Sequence, residues 1–328
     1  VQLPFSIQRH LNSAIFQGRN KKHSYFEGWY IKQVSDDGQF FFALIPGMAI
    51  DKSGKGHAFI QLIEGYSDHT EYFTFDLDRF VFSRNAFEGK IGPNIFGKRG
   101  LKVDFNPLGL PFQADLTFSY PELKPTFWVQ PALINWYSLI PGFQCYHMLI
   151  SPFHFVRGIV IANGKEHAFD QGHGYMEKDY GHGFPDDWVW IQCNNFNSDK
   201  VSVMFSAGKV LWSGIEFNGF ICSLLCEGKT YVFSTYSLAR VTHYSLKENL
   251  ISIEIKSVNY TLKIQAEGSK GGLLRAPIEG AMKRAVYETI HASMKIQFST
   301  RKGKIIYEGT GKQAGFETEG QPEKLFNR

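Results

Sequence analysis

The chain echoes itself, and that echo limits the architectures open to it. Glu27-Gly-Trp-Tyr-Ile-Lys-Gln, followed by Asp36-Asp-Gly and an apolar stretch, returns in outline as Asp187-Trp-Val-Trp-Ile-Gln, Asn197-Ser-Asp and Val201-Ser-Val-Met-Phe. A second echo links Phe155 to Ile161, Asn163-Gly-Lys and Gly174-Tyr-Met-Glu177 with Met294 to Phe298, Lys302-Gly-Lys and Ala314-Gly-Phe-Glu317. Each half opens on a tryptophan-bearing segment and closes on a hairpin ending in glutamate. A repeat on this scale is the mark of one structural unit used twice. The boundary falls near Gly183, giving an N-terminal unit over 1–183 and a C-terminal unit over 184–328.

Short alternating segments dominate both units. Glu71 to Asp78, Val201 to Ser206 and Leu250 to Lys256 alternate apolar and polar residues with the two-residue period of a strand. Asp36-Asp-Gly, Asp51-Lys-Ser-Gly, Asn163-Gly and Lys302-Gly supply hairpin turns. Aromatic residues make up 16% of the chain, and they favour pleated, half-buried surfaces and apolar ligand cavities. Helical spacing is scarce; the best stretch runs from Pro277 to His291, with Ala281, Ala285 and Tyr287 along it. A closed barrel removes exposed strand edges, and about eight antiparallel strands leave room for one small ligand. The expected fold is therefore all-β: two lipocalin-like antiparallel β-barrels with one or two short helices. Two open sandwiches would satisfy the same periodicity.

The formal charge of +4 is too small for a dedicated nucleic-acid binder, and the short run Arg19, Lys21, Lys22 reads as a solvated loop. Cys222 and Cys226 form a C-x3-C pair with no second pair and no matching histidines, so buried thiols in a reducing compartment are expected rather than zinc. Val1 to His10 shows no basic-then-apolar secretion pattern, and no stretch reaches the ~18–20 apolar residues of a membrane span. Pro131 to Phe153 carries no Asp, Glu, Lys or Arg and reads as a surface that could meet a membrane or cap a pocket, or as a buried connection. The expected setting is cytoplasmic, with peripheral membrane contact open. Nothing in the sequence fixes an oligomeric state.

The densest polar cluster is Gly172-His-Gly-Tyr-Met-Glu-Lys-Asp-Tyr-Gly-His-Gly-Phe-Pro185. If extended, it places His173, Tyr175, Glu177 and Asp179 on one face, with His182 just beyond. On the following strand Trp188, Trp190, Gln192 and Asn194 share a face. Together the two strands can wall a pocket with apolar sides and a carboxyl group inside. Desolvation there raises the carboxyl pKa and keeps a proton available for general acid catalysis. Indole faces suit a developing cation. The same residues can equally form a satisfied hydrogen-bond network tying two barrels together. Near the N-terminus Glu27 and Trp29 share a face, opposite Phe26, Gly28 and Tyr30; Glu27 is a second carboxyl candidate, or the partner of a nearby Lys or Arg. The H-x3-E-x-D-x2-H spacing of His173 to His182 matches no standard zinc site. Phosphate-loop, dinucleotide and nucleophile-elbow motifs are absent.

Tyr25-Phe-Glu-Gly-Trp-Tyr30, Cys145-Tyr-His147, Gly174-Tyr-Met-Glu-Lys-Asp-Tyr-Gly181, Phe184-Pro185 and Trp188-Val-Trp-Ile-Gln-Cys-Asn194 together resemble the tocopherol cyclase family, from about Tyr25 to Gly320. The resemblance implies two lipocalin-like domains, akin to carotenoid hydratases. It implies an isomerase, formally an intramolecular lyase, acting on a prenylated aromatic or other isoprenoid. In such chemistry an alkene is protonated and a phenol oxygen captures the tertiary cation, with no cofactor and no metal. Carried over, Glu177 or Asp179 donates the proton, and Tyr175 and His182 tune or relay it. Glu27, Trp29, Tyr30, His173, Trp188 and Trp190 hold the substrate, and Gln192 and Asn194 orient its head. Where members often carry Glu, Trp and His, this chain has Gln144, Tyr180 and Asn195. The competing reading is a non-catalytic lipid or isoprenoid carrier of lipocalin type. In either case the expected partner is a small hydrophobic molecule.

Overall fold

The computed structural model describes residues 14–106, 109, 111–121, 140–197 and 201–326. The N-terminal stretch Val1 to His10, residues 131–139 of the charge-free run, and Ser198-Asp199 of the repeat lie outside these residues.

Eleven strands form the first sheet: β1 (Tyr25–Val34), β2 (Phe41–Ile50), β3 (Gly56–Glu64), β4 (Thr70–Asp76), β5 (Phe80–Phe82), β6 (Glu88–Ile91), β7 (Asn94–Gly97), β8 (Gly100–Phe105), β9 (Phe112–Ser119), β10 (Cys145–Ala162) and β11 (Lys165–Gly181). Ten form the second: β12 (Trp188–Cys193), β13 (Ser202–Trp212), β14 (Ile215–Cys226), β15 (Lys229–Ser234), β16 (Arg240–Lys247), β17 (Leu250–Lys256), β18 (Tyr260–Glu267), β19 (Gly272–Ile278), β20 (Ala281–Thr300) and β21 (Ile305–Glu319). The changeover between sheets lies between Gly181 and Trp188.

Both sheets follow one plan. The first runs β4-β3-β2-β1-β11-β10-β9-β8-β7-β6-β5, so its edge strands are consecutive in the chain, joined by the 3-10 turn Leu77–Arg79. The second runs β15-β14-β13-β12-β21-β20-β18-β17-β16, with β19 on β20, and its edges are joined by the 3-10 turn Thr235–Ser237. Contacts across each interior show the curl. Trp29 of β1 stacks on Phe82 of β5 with ring centroids 4.8 Å apart, and Phe73 of β4 meets Phe105 of β8 at 4.7 Å. In the second sheet Tyr231 of β15 meets Phe298 of β20 at 4.7 Å. Each sheet thus wraps its own apolar core. The cysteines are all free, with Cys193, Cys222 and Cys226 buried.

A third apolar cluster joins the two barrels, and it decides where the site lies. Along β11, Met176 and Tyr180 face the first barrel's core while Tyr175 belongs to the joining cluster. Along β12, Val189, Ile191 and Cys193 fill the second barrel while Trp188 and Trp190 turn outwards against the first. Strand alternation therefore buries both faces of β1, β11 and β12, and the outward set of each becomes the wall between the barrels.

The expected helix over Pro277 to His291 does not form. That stretch spans the end of β19, a turn at Glu279-Gly280 and the first half of β20. Both turn residues take positive φ, 50° and 82°, which suits a tight hairpin and breaks a helix. The alternating residues Val286, Glu288 and Ile290 are buried, a period of two that Ala281, Ala285 and Tyr287 had masked as a helical one. Helical structure among the described residues is confined to 3-10 turns, including Pro322–Leu325 near the C-terminal end.

Candidate active site

Between the barrels lies a cavity of about 580 Å³. Its walls are largely aromatic and aliphatic, and its polar part is a set of carboxyl groups. β11 contributes Glu177 and Asp179, β10 contributes Cys145 and His147, β12 contributes Trp188 and Trp190, β1 contributes Tyr30, and the long hairpin of β20 and β21 contributes Glu288 and Glu317.

Glu177 is the centre of the first group. Its Oε2 accepts a short hydrogen bond from the Tyr175 hydroxyl and another from Trp190 Nε1 at 3.2 Å. His147 stands between the two acids, with Nδ1 2.9 Å from Asp179 Oδ1 and Nε2 3.4 Å from Glu177 Oε2. Burial drives the Glu177 carboxyl upwards; the His147 charge opposes this, Asp179 adds to it, and the net value is raised to about 7. For His147, burial disfavours the charged ring, but Glu177 and Asp179 outweigh it and push its pKa up to about 9.

The second group lies on the other wall. Tyr30 OH donates to Glu288 Oε1 at 2.7 Å, and Trp188 Nε1 donates to Glu317 Oε1. Burial raises both carboxyls, Glu317 to about 8 and Glu288 well above the ordinary range, and each repels the other or its acidic neighbours further. Trp190 and Tyr30 meet edge to face at 5.2 Å, so indole and phenol rings line the space between the groups.

His147, Glu177 and Asp179 also offer three ligand-type atoms within 4.8 Å of one another. Without an ion there, the two carboxyls favour the protonated His147 ring.

The cavity gathers Glu177, Asp179, Tyr30, Trp188 and Trp190 from the residues singled out in the sequence, with Tyr175 bonded behind Glu177. The others lie elsewhere. Glu27 and Trp29 point into the first barrel: Trp29 joins its core, and Glu27 pairs with Lys178 at 2.9 Å. The odd-numbered face of β1 is the inner face, which is why these two part from Tyr30. Gln192 and Asn194 continue the outward face of β12 beyond the cavity, where Gln192 Nε2 bonds Asn194 Oδ1 at 3.0 Å and Asn194 Nδ2 bonds Gly174 O at 3.0 Å. His173 packs on Phe153, with centroids 5.1 Å apart. His182 lies past β11, where its carbonyl accepts from Gly280 N at 2.7 Å.

His147, Glu288 and Glu317 are cavity residues that the site reading had passed over. The repeat carried a signal for Glu317, since it aligns that residue with Glu177. In the ladders Glu177 stands opposite Tyr30 of β1 and Glu317 opposite Trp190 of β12, equivalent places in the two barrels.

The profile of the family described as tocopherol cyclase-like matches residues 121–320 of this chain. The chain belongs to the tocopherol cyclase-like family. The tocopherol cyclase-like motif blocks Gly174 to Gly181 and Trp188 to Asn194 lie on strands that meet at the cavity, where Trp190 Nε1 donates to Glu177, and Cys145-Tyr-His147 is paired beside the first. Among curated relatives, "Probable tocopherol cyclase, chloroplastic" of Oryza sativa subsp. japonica is 25% identical over 210 residues, covering 59% of this chain and 43% of that protein. "Tocopherol cyclase, chloroplastic" of Zea mays is 25% identical over 204 residues, with the same 59% and 43% coverage. This tocopherol cyclase-like chain therefore spans less than half the length of those relatives. Among solved structures, the AttH-type protein of Nitrosomonas europaea superposes with a TM-score of 0.51 at 14% identity, covering 90% of this chain and 92% of that one, a likeness of fold. No helix among the described residues is long and apolar enough to cross a membrane.

Proposed function

We propose that the chain is an acid catalyst that protonates an alkene of a prenylated aromatic or related isoprenoid held between the barrels, leading to ring closure or hydration. One observation carries the reading: a buried carboxyl, Glu177, whose pKa burial raises to about 7, sits in an apolar cavity lined by indole and phenol rings. In the step, the Glu177 O–H bond breaks and its proton joins one alkene carbon. The π electrons form the new C–H bond, leaving a tertiary cation beside Trp188 and Trp190, whose faces attract positive charge. A ring hydroxyl or a water attacks that cation, an O–C bond forms, and the oxygen sheds its proton to a carboxylate of the cavity. Ring closure leaves the formula of the substrate unchanged and consumes no cofactor. Tyr175 and the imidazolium of His147 hold the Glu177 carboxylate once the proton has gone. Asp179 keeps His147 charged and in place.

The test is incubation with a prenylated hydroquinone in deuterium oxide. The expected product is ring-closed and carries one deuterium on carbon, and Glu177→Gln lowers its rate by ~10²–10⁴-fold with unchanged circular dichroism. No product from a broad prenyl panel, or a full rate in Glu177→Gln, contradicts the reading. The apolar walls also suit a lipid carrier, which predicts a stoichiometric, chemically unchanged lipid in native mass spectra.

A further inference from the structure

The two barrels bring equivalent glutamates to the cavity, yet their surroundings differ in charge. Glu177 of β11 has Leu149 as its ladder partner on β10, and His147 two residues earlier supplies a cation. Glu317 of β21 has a second acid, Glu288 of β20, as its ladder partner. Directly opposed residues of an antiparallel pair hold their Cβ atoms about 5 Å apart. Both side chains are buried, at 3% and 7% exposure, and both line the cavity. Two carboxylates on directly opposed, buried positions repel each other's charge, so one proton between them is the favoured state. The surrounding groups do not change this. Tyr30 and Trp188 only donate hydrogen bonds. Asp179 and Glu319 lie among the acids around the pair, and Glu177 adds negative charge once its proton has gone. The nearby cations are Lys32, which opposes the rise of Glu288 and donates to Gln313 O at 2.6 Å, His147, held by Glu177 and Asp179, Arg284, which lies over Trp188 and pairs with Asp186, and Arg275 on the cavity wall, so the pair keeps one negative charge rather than none.

We propose that Glu288 and Glu317 share one proton at neutral pH and form a second acid–base station of the cavity, the one that takes the proton leaving the attacking oxygen after Glu177 has protonated the alkene. The inference deepens the acid-catalysis reading and rests on it for the timing of the step. The chemistry balances. The singly charged pair gains one proton and becomes two neutral carboxyls, which removes a buried charge. Glu177 has lost one proton, and transfer from the pair back to Glu177 restores the starting state. While the cation exists, the pair's single negative charge faces it across the cavity. A carboxylate held in so unfavourable a place for charge is a stronger base than one in water. Substrate with a tertiary cation at one side and a hydroxyl proton to lose at the other is the class that such a two-station cavity serves.

The pair is tested without turnover by infrared spectroscopy of the full chain carrying Glu177→Gln, which silences the first station. At neutral pH this variant shows the C=O stretch of a protonated buried carboxyl, and adding Glu288→Gln together with Glu317→Gln removes it. Absence of that band in the Glu177→Gln chain overturns the pair, whatever the fate of the catalytic reading. If the triple variant does not fold, Glu288→Gln or Glu317→Gln added singly to Glu177→Gln shifts the band, since either removes the carboxylate that shares the proton, and an unshifted band overturns the sharing. Its part in the reaction is tested with prenylated hydroquinone: Glu317→Gln alone lowers kcat by ~10²-fold with KM within about twofold. A full kcat in both Glu288→Gln and Glu317→Gln overturns the role while leaving the Glu177 step standing.

Discussion

Glu27 and Glu177 are both buried glutamates on neighbouring strands, and they have opposite characters. Glu27 lies inside the first barrel with no exposure. It receives Gln17 N at 3.0 and 2.9 Å, Gly18 N at 3.0 Å, Tyr25 OH at 2.6 Å and Lys178 Nζ at 2.9 Å. Lys178 in turn lies 5.5 Å from the Trp29 ring centroid and donates to Ile15 O at 2.9 Å. Glu177 is the residue before Lys178, yet alternation turns it to the other side of β11, into the cavity. There it meets two neutral donors, a shared imidazolium and a second acid, so burial is offset only in part. Burial of a carboxyl does not by itself mark a site. What separates the two is how completely donors and a cation replace the lost water.

The comparison breaks most visibly at Lys178. Lys178→Met leaves Glu27 charged and buried without its cation, and urea denaturation should show a loss of ~3–5 kcal/mol. Glu177→Gln should change stability by about 1 kcal/mol or less. Equal stabilities for the two variants would mean that Glu27 is no better compensated than Glu177.

The pH dependence of stability sharpens the contrast. Glu177 has a folded-state value near 7 against an ordinary 4.5, and His147 one near 9 against 6.5. In both cases the folded state holds its proton longer than the unfolded state. Their contributions are fully present below the unfolded values and are lost as pH rises through about 7 and about 9. Melting temperature should therefore fall from about pH 4.5 to about pH 9, and Glu177→Gln should remove the lower part of the fall, up to about 7. A melting temperature that rises over that range contradicts the assignment.

A smaller effect concerns the rate. His147→Asn deletes the cation that holds the Glu177 carboxyl down. The alkaline limb of kcat should move up by about one pH unit. A limb that stays in place, or moves down, would show that His147 does not face the proton donor.

Much of this was legible in the chain. Alternation and turn residues announced an all-β protein, and the echo of Trp and Glu announced its doubling. The facing of Glu177 and Asp179 with Trp188 and Trp190 followed from the two-residue period alone. Glu27 and Trp29 were misplaced because β1 is buried on both faces, so polarity does not tell which face meets the core and which the cavity. His147 escaped because its place beside Asp179 comes from the pairing of β10 with β11, which sequence does not supply. Glu288 was hidden in the stretch read as a helix. Glu317 was visible as the repeat partner of Glu177, but its chemistry depends on a neighbour from another strand, which sequence does not supply.

The central claim is that Glu177 carries a proton in an oily pocket, and it can be watched directly. In protein labelled with 13C at glutamate side-chain carboxyls, the resonance lost in Glu177→Gln should titrate with a midpoint near 7. A midpoint at the ordinary glutamate value near 4.5 would leave the cavity without a proton to give.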